Sequence, residues 1–259
     1  MRLPALFAFL LILSACSNST EETTATDTMT KEVKIDYPAE LVKVFDNHGG
    51  LDNWKAMKGM SYEIVKEGGN EKQTIDLQNR REVIEGSNFT SGYDGKEYWV
   101  VADTSYKGRP KFYTNLMFYF YAMPFVIADD GITYSETEPI EYEGKSYPGI
   151  RISYGDGVGI SPEDEYFLHY DADTHEMAWL GYTVTFFSGK KGDKRSYIRY
   201  DDWKNFNGLK LPNSATWFKV EDGKLMGPRN TREFADVVVS EKPFDDATFA
   251  IPEGAKVVE

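Results

Sequence analysis

The sequence predicts an α+β fold that is mostly β: a single curled antiparallel sheet, a half-barrel, with helices in its concave face. Three observations predict it. Apolar and polar residues begin to alternate at Met60, and the alternation returns in run after run as far as residue 239. Tight-turn pairs separate the runs, at Asp94-Gly95, Glu143-Gly144, Asn207-Gly208 and Asp222-Gly223, and such pairs join neighbouring antiparallel strands. One stretch, residues 112–127, breaks the alternation and is apolar nearly all round, so it must be buried against something. Strands do not alternate with long helices, which argues against a doubly wound parallel sheet.

The chain opens on an address. Met1-Arg2 is followed by an apolar run over residues 3–13, interrupted only by Pro4. At ~1.5 Å per residue the run reaches ~17 Å, well short of a ~30 Å hydrocarbon core. That length fits the apolar region of a signal peptide over residues 1–15. Leu13-Ser14-Ala15-Cys16 then resembles a bacterial lipobox, in which the Cys is lipidated and becomes the mature N-terminus. Cys16 is the one cysteine of the chain and stands where that motif needs it. Acylation, with palmitate among the chains expected, contributes ~0.8 kcal/mol per buried methylene, and more than one chain makes a lasting anchor. The expectation is a membrane-anchored lipoprotein of the bacterial envelope, at the outer membrane, on its periplasmic or surface side.

A lipidated N-terminus and tether are expected over 16–35, and a folded domain over 36–259. Ser and Thr dominate residues 17–30, and such a segment cannot bury enough surface to repay its ordering entropy. Asp36-Tyr37-Pro38 then signals a helix start. Leu41, Val44, Phe45 and His48 share one face at helical spacing, and Gly49-Gly50 ends the helix. A second short helix covers 51–57. Strand-like runs follow at 60–64, 75–77, 98–101, 150–154, 166–170, 178–187, 196–200, 215–220 and 232–239. Neither a 20–50-residue repeat nor an internal linker interrupts residues 36–259.

Composition excludes several classes of function. A net charge of −13 repels phosphate backbones, so nucleic acid is not an expected partner. One Cys rules out an intramolecular disulfide and Cys-cluster metal sites, and three His leave little for a His-based centre. No metal or cofactor is expected. There is no Gly-x-Ser-x-Gly elbow and no phosphate-binding loop. His48 reads as a helix C-terminal residue favoured by the dipole. His169 sits in a strand and His175 in a turn, each with a structural reading. Asp156, Asp164 and Glu165 flank a Gly-rich stretch whose spacing is not that of a calcium loop, and read as a solvated loop.

The aromatic segment is the strongest candidate for function. Phe118, Tyr119, Tyr121 and Phe125 belong to it, and Trp99, Trp179 and Tyr182 are placed to face it from strands. Together these seven are the expected ligand-binding residues. A segment that only partly fills the concave face leaves an apolar groove, the usual form of a ligand site. Each methylene of an acyl chain buried there contributes ~0.8 kcal/mol. The alternative is that the same rings simply fill the core.

Several stretches resemble the LolA/LolB superfamily, and more closely a family of Bacteroidota lipoproteins with that fold. They are residues 48–54 (His-Gly-Gly-Leu-Asp-Asn-Trp), 92–96 (Gly-Tyr-Asp-Gly-Lys), 123–129, 157–164, 206–212 and 249–255. In that order they cover most of residues 38–256. The resemblance implies a LolA/LolB-like curled sheet and a hydrophobic cavity for lipid or acyl groups. LolA itself is soluble and shuttles, whereas a lipobox would hold this chain in place, as LolB is held. None of LolA's functional residues matches a position here one by one, so none is carried over.

Three functions stay open on these grounds. The first is an envelope-anchored, non-catalytic protein binding a lipid or acyl group in the concave face. The second is a structural or partner-binding envelope lipoprotein with a filled core. The third is an envelope hydrolase using an Asp/Glu pair, whose mark would be two carboxylates in one cleft.

Overall fold

A computed structural model describes residues 36–155, 163–185 and 194–258. The signal peptide, Cys16, the tether, Asp156 and Phe187 lie outside the described residues.

Two helices open the fold, α1 (Ala39–Asn47) and α2 (Leu51–Ala56). A meander follows: β1 (Gly59–Ile64), β2 (Glu71–Asp76), β3 (Glu82–Glu85), β4 (Phe89–Tyr93) and β5 (Tyr98–Ala102). The aromatic segment comes next, as α3 (Pro110–Tyr113), α4 (Leu116–Tyr121) and a 3-10 turn (Phe125–Ala128). A second meander consists of β6 (Ile132–Tyr142), β7 (Lys145–Tyr154), β8 (Glu165–Tyr170), β9 (Met177–Tyr182) and β10 (Ser196–Arg199). The hairpin β11 (Trp203–Phe206) and β12 (Leu209–Pro212) precedes β13 (Ser214–Glu221), β14 (Lys224–Ser240) and the short β15 (Lys256–Val258).

Thirteen strands form one sheet in the order β15-β5-β4-β3-β2-β1-β14-β13-β10-β9-β8-β7-β6, while β11 and β12 pair separately. The sheet is antiparallel and does not close. Its two meanders meet at β14, whose 17 residues serve both halves. Residues 224–233 pair with β13, and residues 234–240 pair with β1. The β1 register shifts between Ser61 and Glu63, opposite Asp236 at φ 47°. An extra residue at such a point bends and twists the strand, and so curls the sheet where its halves join.

The main core lies between the concave face and the helices. Leu41, Val44 and Phe45 of α1, Tyr62, Ile64 and Ile75 of the first meander, and Leu168, Leu180 and Ile198 of the second belong to one buried cluster with α4. Period-two alternation sends the intervening residues to the outer face. Two smaller clusters sit there: Val83, Trp99 and Phe249 at one end, and Tyr147, Trp179 and Phe218 at the other.

The turn after α1 needs glycine twice over. Gly49 has φ 110°, and a Cβ there would stand 2.2 Å from the Gly208 carbonyl oxygen. Only a residue without a side chain lets the helix end and the β11–β12 turn approach this closely.

Candidate functional site

Residues 112–127 form a broken helix rather than a continuous one. Pro110 starts α3, since its missing N–H falls among the donors that a first turn leaves free. Asn115 then takes a left-handed conformation, φ 61°, which ends α3 and redirects the chain into α4. Asn tolerates this region better than other non-glycine residues.

The sheet holds the segment through polar groups. The Asn115 backbone N–H donates to Glu82 Oε2 at 2.5 Å, and its side chain donates to the Arg80 carbonyl at 3.2 Å. Tyr113 donates to Glu71 Oε1 at 2.6 Å, which also accepts from Gln73 at 3.0 Å. Lys66 pairs with the other Glu71 oxygen at 2.5 Å. Three tyrosines cap carbonyls of the segment: Tyr200 on Phe120 at 2.8 Å, Tyr134 on Ile127 at 2.7 Å and Tyr37 on Ala128 at 3.0 Å. Arg80 reaches both oxygens of Asp129 at 2.7 and 2.8 Å.

Between these anchors the contact is apolar. Tyr121 lies 4.2 Å from Tyr62 and 4.5 Å from Phe234, centroid to centroid. Phe125 stacks on Trp54 at 5.0 Å. Phe120 meets Tyr182 at 4.9 Å, and the Tyr182 hydroxyl accepts from Trp217 Nε1 at 2.9 Å. Phe118, Tyr121 and Phe125 are wholly buried, whereas Tyr119 and Tyr182 are partly buried against the same cluster.

Trp99 and Trp179 do not face the segment, contrary to the sequence reading. Trp99 follows Val83 and Gly92 in one cross-strand row on the outer face and packs under Phe249. Trp179 alternates with Leu180 and packs against Tyr147 and Phe218. The run at 98–101 is β5, while the run at 178–187 is strand only as far as Tyr182 among the described residues; periodicity within one strand does not tell which set of residues turns inward. Five of the seven expected residues, Phe118, Tyr119, Tyr121, Phe125 and Tyr182, do share the concave face.

Buried acids are the feature that the sequence reading missed. Glu82 is 0% and Glu71 2% exposed. Burial pushes the Glu82 carboxyl up to about 8, and the neighbouring Glu71 charge adds to the rise. Glu82 is therefore largely protonated at neutral pH. Its Oε1, the Tyr121 hydroxyl and Asn115 Oδ1 have no hydrogen-bond partner among the described residues. Glu71, Gln73 and Ile75 alternate along β2, and Glu82 sits opposite Ile75. That alternation with an apolar residue was the available signal.

The histidines have structural partners. Nε2 of His48 accepts from the Met177 backbone N–H at 3.1 Å, so the ring proton is on Nδ1, which donates to the Lys210 carbonyl at 3.1 Å. His169 contacts the Tyr147 carbonyl at 3.3 Å, and His175 pairs with Glu40 at 2.9 Å. Asp164 accepts from the Thr185 N–H at 2.6 Å, and Glu165 pairs with Arg151. Among the described residues no group of three or more His, Cys, Asp or Glu is arranged to hold a metal ion, and no helix is long and apolar enough to cross a membrane.

Comparison with solved structures returns distant likenesses. A LolA superfamily protein from Nitrosomonas europaea is 9% identical, with a TM-score of 0.46 over 80% of this chain and 96% of that one. A DUF1329 family protein from Desulfovibrio piger is 11% identical, with a TM-score of 0.47 over 81% of this chain and 97% of that one. No protein-family model matches the chain, and no curated protein matches it.

Proposed function

We propose that this chain is an envelope-anchored, non-catalytic lipoprotein that binds a lipid or acyl group in the concave face of its sheet, the ligand displacing residues 110–128. The observation that carries this reading is the way the concave face is filled. Its filling is three short pieces, of four, six and four residues. Helices this short do not persist without tertiary packing. The pieces leave buried polar atoms on Glu82, Tyr121 and Asn115 unpartnered, and each such atom costs ~1–3 kcal/mol. That cost lowers the barrier to exchanging the segment for a ligand. The lipobox around Cys16 supports the anchoring half of the proposal.

Native mass spectrometry of the full chain from its own membranes tests this reading. The expected result is co-purified lipid, with more lipid retained by Phe118→Ala, whose smaller side chain leaves room. Protein free of lipid in both forms, and no uptake of a fluorescent fatty acid, would overturn it.

The complete burial of Phe118, Tyr121 and Phe125 favours a second reading, a partner-binding lipoprotein with a filled core. Cross-linking in intact cells that traps one specific protein, with no lipid found, selects it. The hydrolase reading gains a carboxylate pair, Glu71 and Glu82, but both side chains are buried and contacted by the aromatic segment, through Tyr113 and Asn115.

A further inference from the structure

The outer face of the second meander carries a feature that the concave-face reading does not use. A cavity of about 510 Å³ lies there, lined by Lys194, Arg195, Tyr197, Val220, Asp222 and Gly223. Of its lining residues, Tyr197 of β10 belongs to a cross-strand row in which Gly181 of β9 lies opposite it and Phe167 of β8 lies opposite Gly181. A Cβ on Gly181 would come within 3.0 Å of the Tyr197 ring and 3.2 Å of the Phe167 Cβ, so glycine lets the Tyr197 ring lie over β9.

The Arg195 guanidinium lies 3.6 Å from the centroid of Phe167. A guanidinium seated over a ring face still has N–H donors to offer a planar or tripod oxyanion. Among the described residues neither Lys194 nor Arg195 forms an ion pair, although Asp222 lines the same cavity. The next row on this face continues the pattern. Arg199 stands 4.9 Å over Trp179 and 5.2 Å over Tyr147, with its Nε 3.8 Å from Asp201. Arg199 Nη1 and Trp179 Nε1 are buried donors with no hydrogen-bond partner among the described residues. A net charge of −13 makes so cationic and aromatic a patch unusual for this molecule.

We infer that this outer-face cavity is a binding site for a small organic oxyanion, a phosphate or carboxylate joined to a flat apolar group. Arg195 grips the anion in a fork, Lys194 adds charge, and Tyr197 and Val220 take the apolar part. Fork geometry makes the site sensitive to the kind of cation as well as its presence.

The test titrates the full chain in zwitterionic detergent with phenyl phosphate, read by phosphorus NMR line broadening, and with benzoate and phenol read by saturation-transfer NMR. Saturable binding of phenyl phosphate or benzoate, weakened by salt, is expected, and phenol is expected not to bind. The stronger of the two anions names the preferred head group. Arg195→Gln should weaken binding ~10-fold or more, since hydrogen bonds to charged groups contribute ~1.5–3 kcal/mol. Arg195→Lys, which keeps charge but loses the fork, should also weaken it clearly. Lys194→Gln, at an exposed side chain with no packing role, should give a smaller loss in a fully folded protein, and Lys72→Gln on the other meander should bind as wild type. Absence of saturable anion binding, phenol binding as well as the anions, or unchanged affinity in both Arg195→Gln and Lys194→Gln would overturn the inference. None of these outcomes depends on lipid in the concave face.

Discussion

Oε2 of the Glu82 carboxyl group accepts the backbone N–H of Asn115 at 2.5 Å, and among the described residues no cation pairs with it. One side chain in the first meander therefore fixes the left-handed residue at which the aromatic segment turns.

This contact makes stability depend on pH in a definite direction. Burial holds Glu82 up to about 8, against an ordinary 4.5. The unfolded chain releases that proton more readily than the folded one, so the stability linked to Glu82 is complete below pH 4.5 and is lost as pH rises toward 8. Glu82→Gln, which stays neutral, should remove this loss. Urea unfolding at pH 5 and pH 8 should show the variant gaining on wild type at the higher pH, by a few kcal/mol on the order of the linkage. An equal difference at both values would refute it.

His48 and His169 act in the opposite sense. Burial depresses each to about 4 from 6.5, so the folded state resists protonation. Their stability contribution is complete above pH 6.5 and falls away as pH drops toward 4. Together with Glu82, these groups place the stability maximum near pH 6.5. Thermal melts across pH 4–8 should trace that maximum, and His169→Gln should flatten its acid side.

Phe118→Ala should cost ~3–5 kcal/mol, the usual price of emptying an aromatic core site. Denaturant unfolding measures this. A loss under ~1 kcal/mol would mean that the interior collapses around the vacancy, leaving no added room for a ligand.

Gly49→Ala should destabilise by about 3 kcal/mol or more, from strain at φ 110° together with the collision with the Gly208 carbonyl. Gly68→Ala, where φ is 87° but nothing lies within 4 Å of the added carbon, should cost less. Comparing melting temperatures separates the steric part from the backbone part.

Cys16→Ala should move the protein from the membrane fraction to the soluble fraction of cells that process lipoproteins, as followed by immunoblot after fractionation. Retention in the membrane would remove the anchor from the proposal.

Local pattern was enough for part of this protein. Leu41, Val44 and Phe45 at helical spacing, the Gly49-Gly50 stop, and period-two strands separated by Asp-Gly and Asn-Gly turns depend on contacts a few residues apart. A single chain displays those directly, and they determined a mostly β, antiparallel fold. The strand β6 escaped because Glu136, Glu138, Pro139 and Glu141 mask its alternation; it is the sheet's edge, where charge and proline are tolerated. Which face each strand turns inward was decided only by tertiary structure. Trp99 and Trp179 are apolar residues in strands, yet both pack on the outer face, while Glu71 and Glu82 lie buried on the inner one. Side-chain burial depends on what another part of the chain lays over a strand, here the C-terminal residues around Phe249 and the aromatic segment. That pairing spans more than a hundred residues for Trp99 and some thirty for Glu82, distances at which periodicity carries no information.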